Sequence, residues 1–102
     1  MNKIMADRIT EKHLEGLIGR LNKLTGMPEK PYMKQADGTF KPMAGCYHLS
    51  HAYGGVSLHR MSMTEGCTGV SEPLSTGHIT KRDLYERIYA YIRGIESVKF
   101  GD

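Results

Sequence analysis

The spacing of apolar positions changes twice along this chain. From Thr10 onward, Leu14, Leu17, Ile18, Leu21 and Leu24 fall at i, i+3, i+4, i+7 and i+10, a single stripe of a 3.6-residue period. Thr10 is placed as the N-cap, and Glu11 suits the positive end of the helix dipole. Gly26 stops the helix, and Pro28 and Pro31 keep it from resuming. The period then shortens. "PYMKQADGTFKPM", residues 31–43, reads as strand, turn, strand around Asp37–Gly38. Pro42 confines the second piece to an edge or a strand start.

"YHLSHAYGGVSLHRM", residues 47–61, alternates around a Tyr-Gly-Gly bend. With Gly54–Gly55 as a two-residue turn, Tyr53 faces Val56, His51 faces Leu58 and Leu49 faces Arg60. One sheet face then carries Tyr47, Leu49, His51, Tyr53, Val56, Leu58 and Arg60 and is the expected core side. The other carries Cys46, His48, Ser50, Ser57, His59 and Met61 and is expected to stay open, with His48 diagonal to His59. A glycine- and hydroxyl-rich connection, Thr64 to Thr80, has room for a short strand near Val70, limited by Pro73. A helical period returns with Leu84, Ile88, Tyr91, Ile92 and Ile95. Thr80 followed by Asp83 resembles a capping box. Tyr85 and Tyr89 flank the stripe and are expected to widen the core contact. Gly94 weakens the helix end.

The fold expected from these elements is α+β. It is a two-layer sandwich in the order helix, three- or four-stranded antiparallel sheet, helix. Residues 1–9 read as a flexible leader, 10–97 as the domain and 98–102 as a tail.

Bulk properties narrow the field of functions. The 102 residues suit one domain with a modest core. A hydrophobic fraction of 39% and a charged fraction of 25% are ordinary for a globular chain. No apolar run reaches the ~20 residues of a membrane span, and "MNKIMADRITEKH" lacks the apolar stretch of a secretory signal. Two cysteines, Cys46 and Cys67, do not make a disulfide framework, so a reduced, cytoplasmic setting is the expectation. The net charge of +3 is mild, without the dense basic patch of a DNA-coating protein.

Three chemistries compete for the polar residues. A metal site would draw on Cys46, His48, His51 and His59, but strand alternation points His51 away from Cys46 and His48, and zinc needs convergent ligands. No metal ligand set and no cofactor are therefore assigned. Nucleophilic catalysis would use Ser50, Ser57 or Cys67 beside a histidine, but no glycine-flanked nucleophile elbow is present. The third is electropositive. "STGHITKRDLYER" gathers Gly77, His78, Lys81 and Arg82 at the start of the second helix, where the dipole and backbone N–H groups favour an anion. Arginine adds a planar fork and lysine a point charge.

"YHLSHAYGGVSLHRM", "STGHITKRDLYERIYAYIRG" and "LIGRLNKLTGMPEKPYMKQADGTFKPMAGCYHLS" together resemble small proteins of tailed bacteriophages to which no activity is assigned. The resemblance spans about Thr10 to Gly94. It implies an accessory protein in the cytoplasm of an infected bacterium that binds rather than catalyses, counteracting a host or defence factor. A second resemblance is architectural. Double-stranded-RNA-binding domains also run helix, three strands, helix with basic residues at the second helix start, which keeps nucleic acid as an alternative. A small metal-dependent or histidine-based enzyme is the remaining one.

The expectation is therefore a non-enzymatic binding protein. Its ligand is anionic, either a nucleotide or an acidic surface of a host protein. The contacts are His59, Arg60, His78, Lys81 and Arg82, supported by His48 and Tyr53. His59 and Arg60 point to opposite faces of one strand, and a homodimer would bring such faces together.

Overall fold

A computed structural model describes residues 8–101. Most of the expected leader, residues 1–7, and the last residue of the expected tail lie outside the described residues. The elements are helix α1 (Glu11–Thr25), strands β1 (Tyr32–Lys34), β2 (Phe40–Pro42), β3 (Tyr47–Ala52), β4 (Gly55–Met61) and β5 (Val70–Ser71), and helix α2 (Lys81–Phe100). This is the α+β class, with two small antiparallel sheets rather than one: β1–β2, and β3–β4–β5 with β4 in the centre.

Both helices begin on threonine caps. Thr10 Oγ1 accepts the backbone N–H of His13, and His13 Nδ1 accepts that of Thr10 at 3.0 Å, a reciprocal box with imidazole in place of the usual glutamate. Thr80 Oγ1 accepts the Asp83 N–H at 3.2 Å. Gly26 closes α1 in the left-handed conformation. Gly94 does not end α2, which continues to Phe100, so residues 98–100 belong to the helix and not to a tail.

α1 lies over β3 and α2 over β4, side by side on one sheet face. The core between the layers joins Leu14, Leu17, Ile18 and Leu21 of α1 to Tyr47, Val56 and Leu58 of the sheet and to Leu84, Ile88 and Ile92 of α2. The Arg20–Glu96 ion pair at 2.8 Å ties the two helices to each other, and the Tyr47–Tyr91 hydroxyl pair at 3.1 Å ties the sheet to α2. Tyr85 packs against this core as expected, while Tyr89 is exposed.

One polar residue interrupts the apolar layer. Asn22 is buried, and its amide accepts the Tyr47 N–H at 2.8 Å and donates to the Tyr47 carbonyl at 3.0 Å. It stands in for a neighbouring strand at that point of β3, satisfying both backbone groups that burial would otherwise leave without water.

The β3–β4 turn differs from the glycine pair read in the sequence. Ala52 pairs with Gly55 and Tyr47 with Arg60, so the turn residues are Tyr53 and Gly54, at φ 54 and 76. Positive φ at both central positions is the hairpin turn that matches strand twist. Gly55 is withheld from the turn for a different reason. Val56 and Ile79 exchange two backbone hydrogen bonds at 2.8 Å, and a Cβ on Gly55 would fall 2.9 Å from the His78 carbonyl carbon and the Ile79 oxygen. Glycine is needed there so that another backbone can approach.

The slip keeps the paired strand residues on the faces assigned but sets His48 directly opposite His59; Tyr53, expected on the core side, instead stands in the turn against His78 on the outer side. The outer face is not open, as expected from the sequence, but largely covered. Ser57 and Met61 are buried, and the chain after β4 returns to this face, where Glu72 accepts from Ser57 and His78 meets Ser50. Cys46 is buried as well, but on the helix side, its thiol 3.8 Å from the Asn22 amide nitrogen. The Asp37–Gly38 bend is also reshaped. Gln35 N–H donates to the Thr39 carbonyl at 2.7 Å, and Gly38 takes the left-handed position in a longer loop.

Candidate functional site

The outer face of the hairpin gathers four of the seven sequence-selected residues into one row. His48 and His59 face each other across β3 and β4 with ring centroids 5.9 Å apart. His59 and His78 follow at 6.0 Å, and His78 and Tyr53 at 5.7 Å, all edge to face. Such contacts use the positive edge of one ring against the negative face of the next. The row ends at the turn, where Tyr53 is 97% exposed.

The segment carrying His78 is held by Glu72, which sequence reasoning did not select. Its Oε2 accepts the buried Ser57 hydroxyl at 2.9 Å and its Oε1 accepts the Gly77 N–H at 3.1 Å. The Gly77 N–H, then the Ser57 hydroxyl, hold this carboxyl below the usual carboxylate range, with His59 and His78 acting in the same sense. Ser50 Oγ meets His78 Nε2 at 3.1 Å and fixes the ring from below. The available sequence signal was a lone carboxylate in an otherwise uncharged stretch between β5 and α2.

His48 sits at the inner end of the row. Its Nε2 is buried without a hydrogen-bond partner. Burial, aided by the nearby His59, lowers its pKa against the opposing effect of the Leu49 backbone. The neutral ring is therefore the form that suits the site.

Lys81 lies around the turn from this row. With His51, Ala52, Gly54, Gly55, Val56 and Ile79 it lines a shallow groove of about 380 Å³ between the hairpin tip and the first turn of α2. His51 is engaged there, its Nε2 lying 2.9 Å from a Glu11 oxygen. Arg82 follows in the same helical turn, half-buried.

Arg60 does not join the group. Its guanidinium stacks over Tyr47 at 4.6 Å, its Nε–H donates to the Gly45 carbonyl at 3.1 Å and Nη2 reaches Met27 Sδ at 3.4 Å. It braces the helix-side margin of the sheet.

Neither cysteine is paired: Cys46 is buried, its thiol pushed up to about 11 by burial, and Cys67 is exposed. Among the described residues, no three His, Cys, Asp or Glu side chains are arranged to hold a metal ion. No helix among them is long and apolar enough to cross a membrane. Comparison of the chain with protein-family models, curated proteins and solved structures gives no match.

Proposed function

We propose that the protein acts by binding an anionic ligand of the nucleotide class at the β3–β4 turn, without catalysing its turnover. The observation that carries this reading is Tyr53. A fully presented aromatic ring is held in a backbone conformation that costs a non-glycine residue of order 1 kcal/mol or more. It stands on His78 at one side of the turn, while Lys81 and the first turn of α2 stand at the other. The ring offers a stacking surface to a base. The lysine and the helix start offer a place for phosphate. In the setting that the phage resemblance suggests, sequestering a nucleotide signal in the cytoplasm would counteract a host defence response, with no cofactor required.

Thermal melts against a panel of mono-, di- and cyclic nucleotides test the reading. At least one nucleotide raises the melting temperature progressively with concentration, as native-state binding requires. Tyr53→Ala and Lys81→Glu each abolish the rise while the unliganded protein still melts cooperatively. Flat melts across the panel would overturn the nucleotide reading. A stoichiometric acidic host protein would then be the ligand sought. The nucleic-acid alternative predicts affinity that falls steeply with added salt, and Asp83 beside Lys81 and Arg82 weighs against it.

A second reading rests on the Ser50–His78 hydrogen bond, a hydroxyl beside a possible general base. Both oxygens of Glu72 are committed to Ser57 and Gly77, so that carboxylate does not orient the imidazole as a triad acid does. Hydrolysis of a p-nitrophenyl ester that disappears in Ser50→Ala would establish this reading over the first.

A further inference from the structure

The free edge of β3 is a second surface with its own chemistry. Among the described residues β3 pairs with β4 on one side only. The backbone N–H and C=O of Tyr47 point away from β4, because both bond Asn22. Strand alternation aims those of Leu49 and His51 in the same direction. The exchange between Val56, opposite His51, and Ile79 on the far side of β4 confirms the phase. No backbone group among the described residues pairs with the outward N–H and C=O of Leu49 or His51. Such an unpaired row is a template for another strand.

The space beside it is a groove of about 570 Å³ between β3 and the outer flank of α1. Ile18 and Leu49 give it an apolar floor, and Gly19 leaves room, since a Cβ there would meet nothing within 4 Å. Its rim carries Glu11, already bonded by His51, and Glu15 and Glu29 against Lys30, an acidic stretch on a chain whose net charge is +3.

We propose that this groove takes an extended basic peptide segment of a partner protein, which adds to β3 as an extra strand. Main-chain hydrogen bonds to Leu49 and His51 supply binding, and lysine or arginine side chains reaching Glu15 and Glu29 supply selectivity. A second copy of this chain is disfavoured as the occupant, because pairing β3 with β3 about a two-fold axis would set the same acidic rims against each other. Asn22 limits the addition to a short segment by closing the edge at Tyr47.

The probe is an acetylated, amidated octapeptide alternating lysine with valine, read by fluorescence anisotropy and by the amide resonances of Leu49 and His51. The peptide binds, shifts those two amides and slows their hydrogen exchange. The glutamate–valine counterpart does not bind. Methylation of alternate peptide nitrogens, which removes donors and leaves charge intact, weakens binding by about tenfold or more. Glu15→Lys weakens it similarly. Gly19→Leu blocks it while the melting temperature stays at or above that of the parent, since leucine is the better helix former. Absence of binding, binding that ignores N-methylation, or binding that leaves the Leu49 and His51 amides unmoved would overturn the proposal. So would sedimentation showing the chain paired with itself through β3. The nucleotide panel reads the far side of the turn, so either proposal can fail without the other.

Discussion

Adjacent glycines at the hairpin tip do different work. Gly54 supplies positive φ with open space around it, while Gly55 admits the backbone of His78 and Ile79. An alanine at 54 meets only the left-handed penalty, about 1 kcal/mol. An alanine at 55 must push two backbone segments apart, so Gly55→Ala is expected to cost about 1–3 kcal/mol, the larger loss of the two in urea unfolding. His48 and Glu72 both shape the pH response. His48 titrates lower in the folded state than in the unfolded chain, which therefore takes up the proton first. Its contribution to stability is present above the ordinary imidazole value near pH 6.5 and falls as the pH drops below it. Glu72 is also depressed, so its contribution is present above the ordinary carboxylate range and disappears as pH falls through its folded value. Denaturation midpoints between pH 7 and 3 should decline in two stages. His48→Gln removes the upper one, and Glu72→Gln shrinks the lower, to which Asp37, held down by Thr39, also contributes.

Elements with local signals were legible in the sequence, and those set by distant partners were not. Each helix carries its stripe, its threonine cap and, for α1, its terminating glycine within a short window, so both were readable. The hairpin faces were readable too, because alternation survives a slip of the turn. The turn was not, since Gly55 answers to Ile79, a contact that no local pattern announces. The site was half legible. His48, His59, His78 and Tyr53 come together, but Arg60 leaves for Tyr47, and Glu72 gains its role only once the chain doubles back. Asn22 is the hardest case, a polar side chain adjoining an apolar stripe whose partner is a backbone edge. Asn22→Ala leaves the Tyr47 N–H and C=O unpaired in a buried place and is expected to cost about 2–4 kcal/mol. The Arg20–Glu96 pair, screened by solvent on its arginine side, is expected to contribute far less. Chemical denaturation of Asn22→Ala and Arg20→Ala checks the contrast, and the Tyr47 amide should lose its exchange protection in the first variant alone.

At the scale of the molecule, stability is unevenly distributed. β1 and β2 pair with each other, and Tyr32, Met33 and Phe40 are exposed, so this hairpin leans little on the core. Its ends meet where Met43 N–H donates to the Pro31 carbonyl at 2.8 Å. Replacing residues 32–42 by a short glycine linker should leave the two-layer core folded, with a melting temperature close to the parent's. Hydrogen exchange on the intact chain should release the β1–β2 amides well before those of β4 and α2. The nucleotide and peptide sites survive this deletion, because neither draws on β1 or β2.

The doubling back of the chain after β4 has one more outcome. Residues 64–69 are exposed, while on either side of them Val56 grips Ile79, Ser57 grips Glu72 and β5 lies along β4. A protease that nicks this loop cuts the polypeptide without releasing its halves. The two fragments should travel together through gel filtration and come apart only in denaturant, which makes the loop a natural point at which to split the protein into self-assembling pieces.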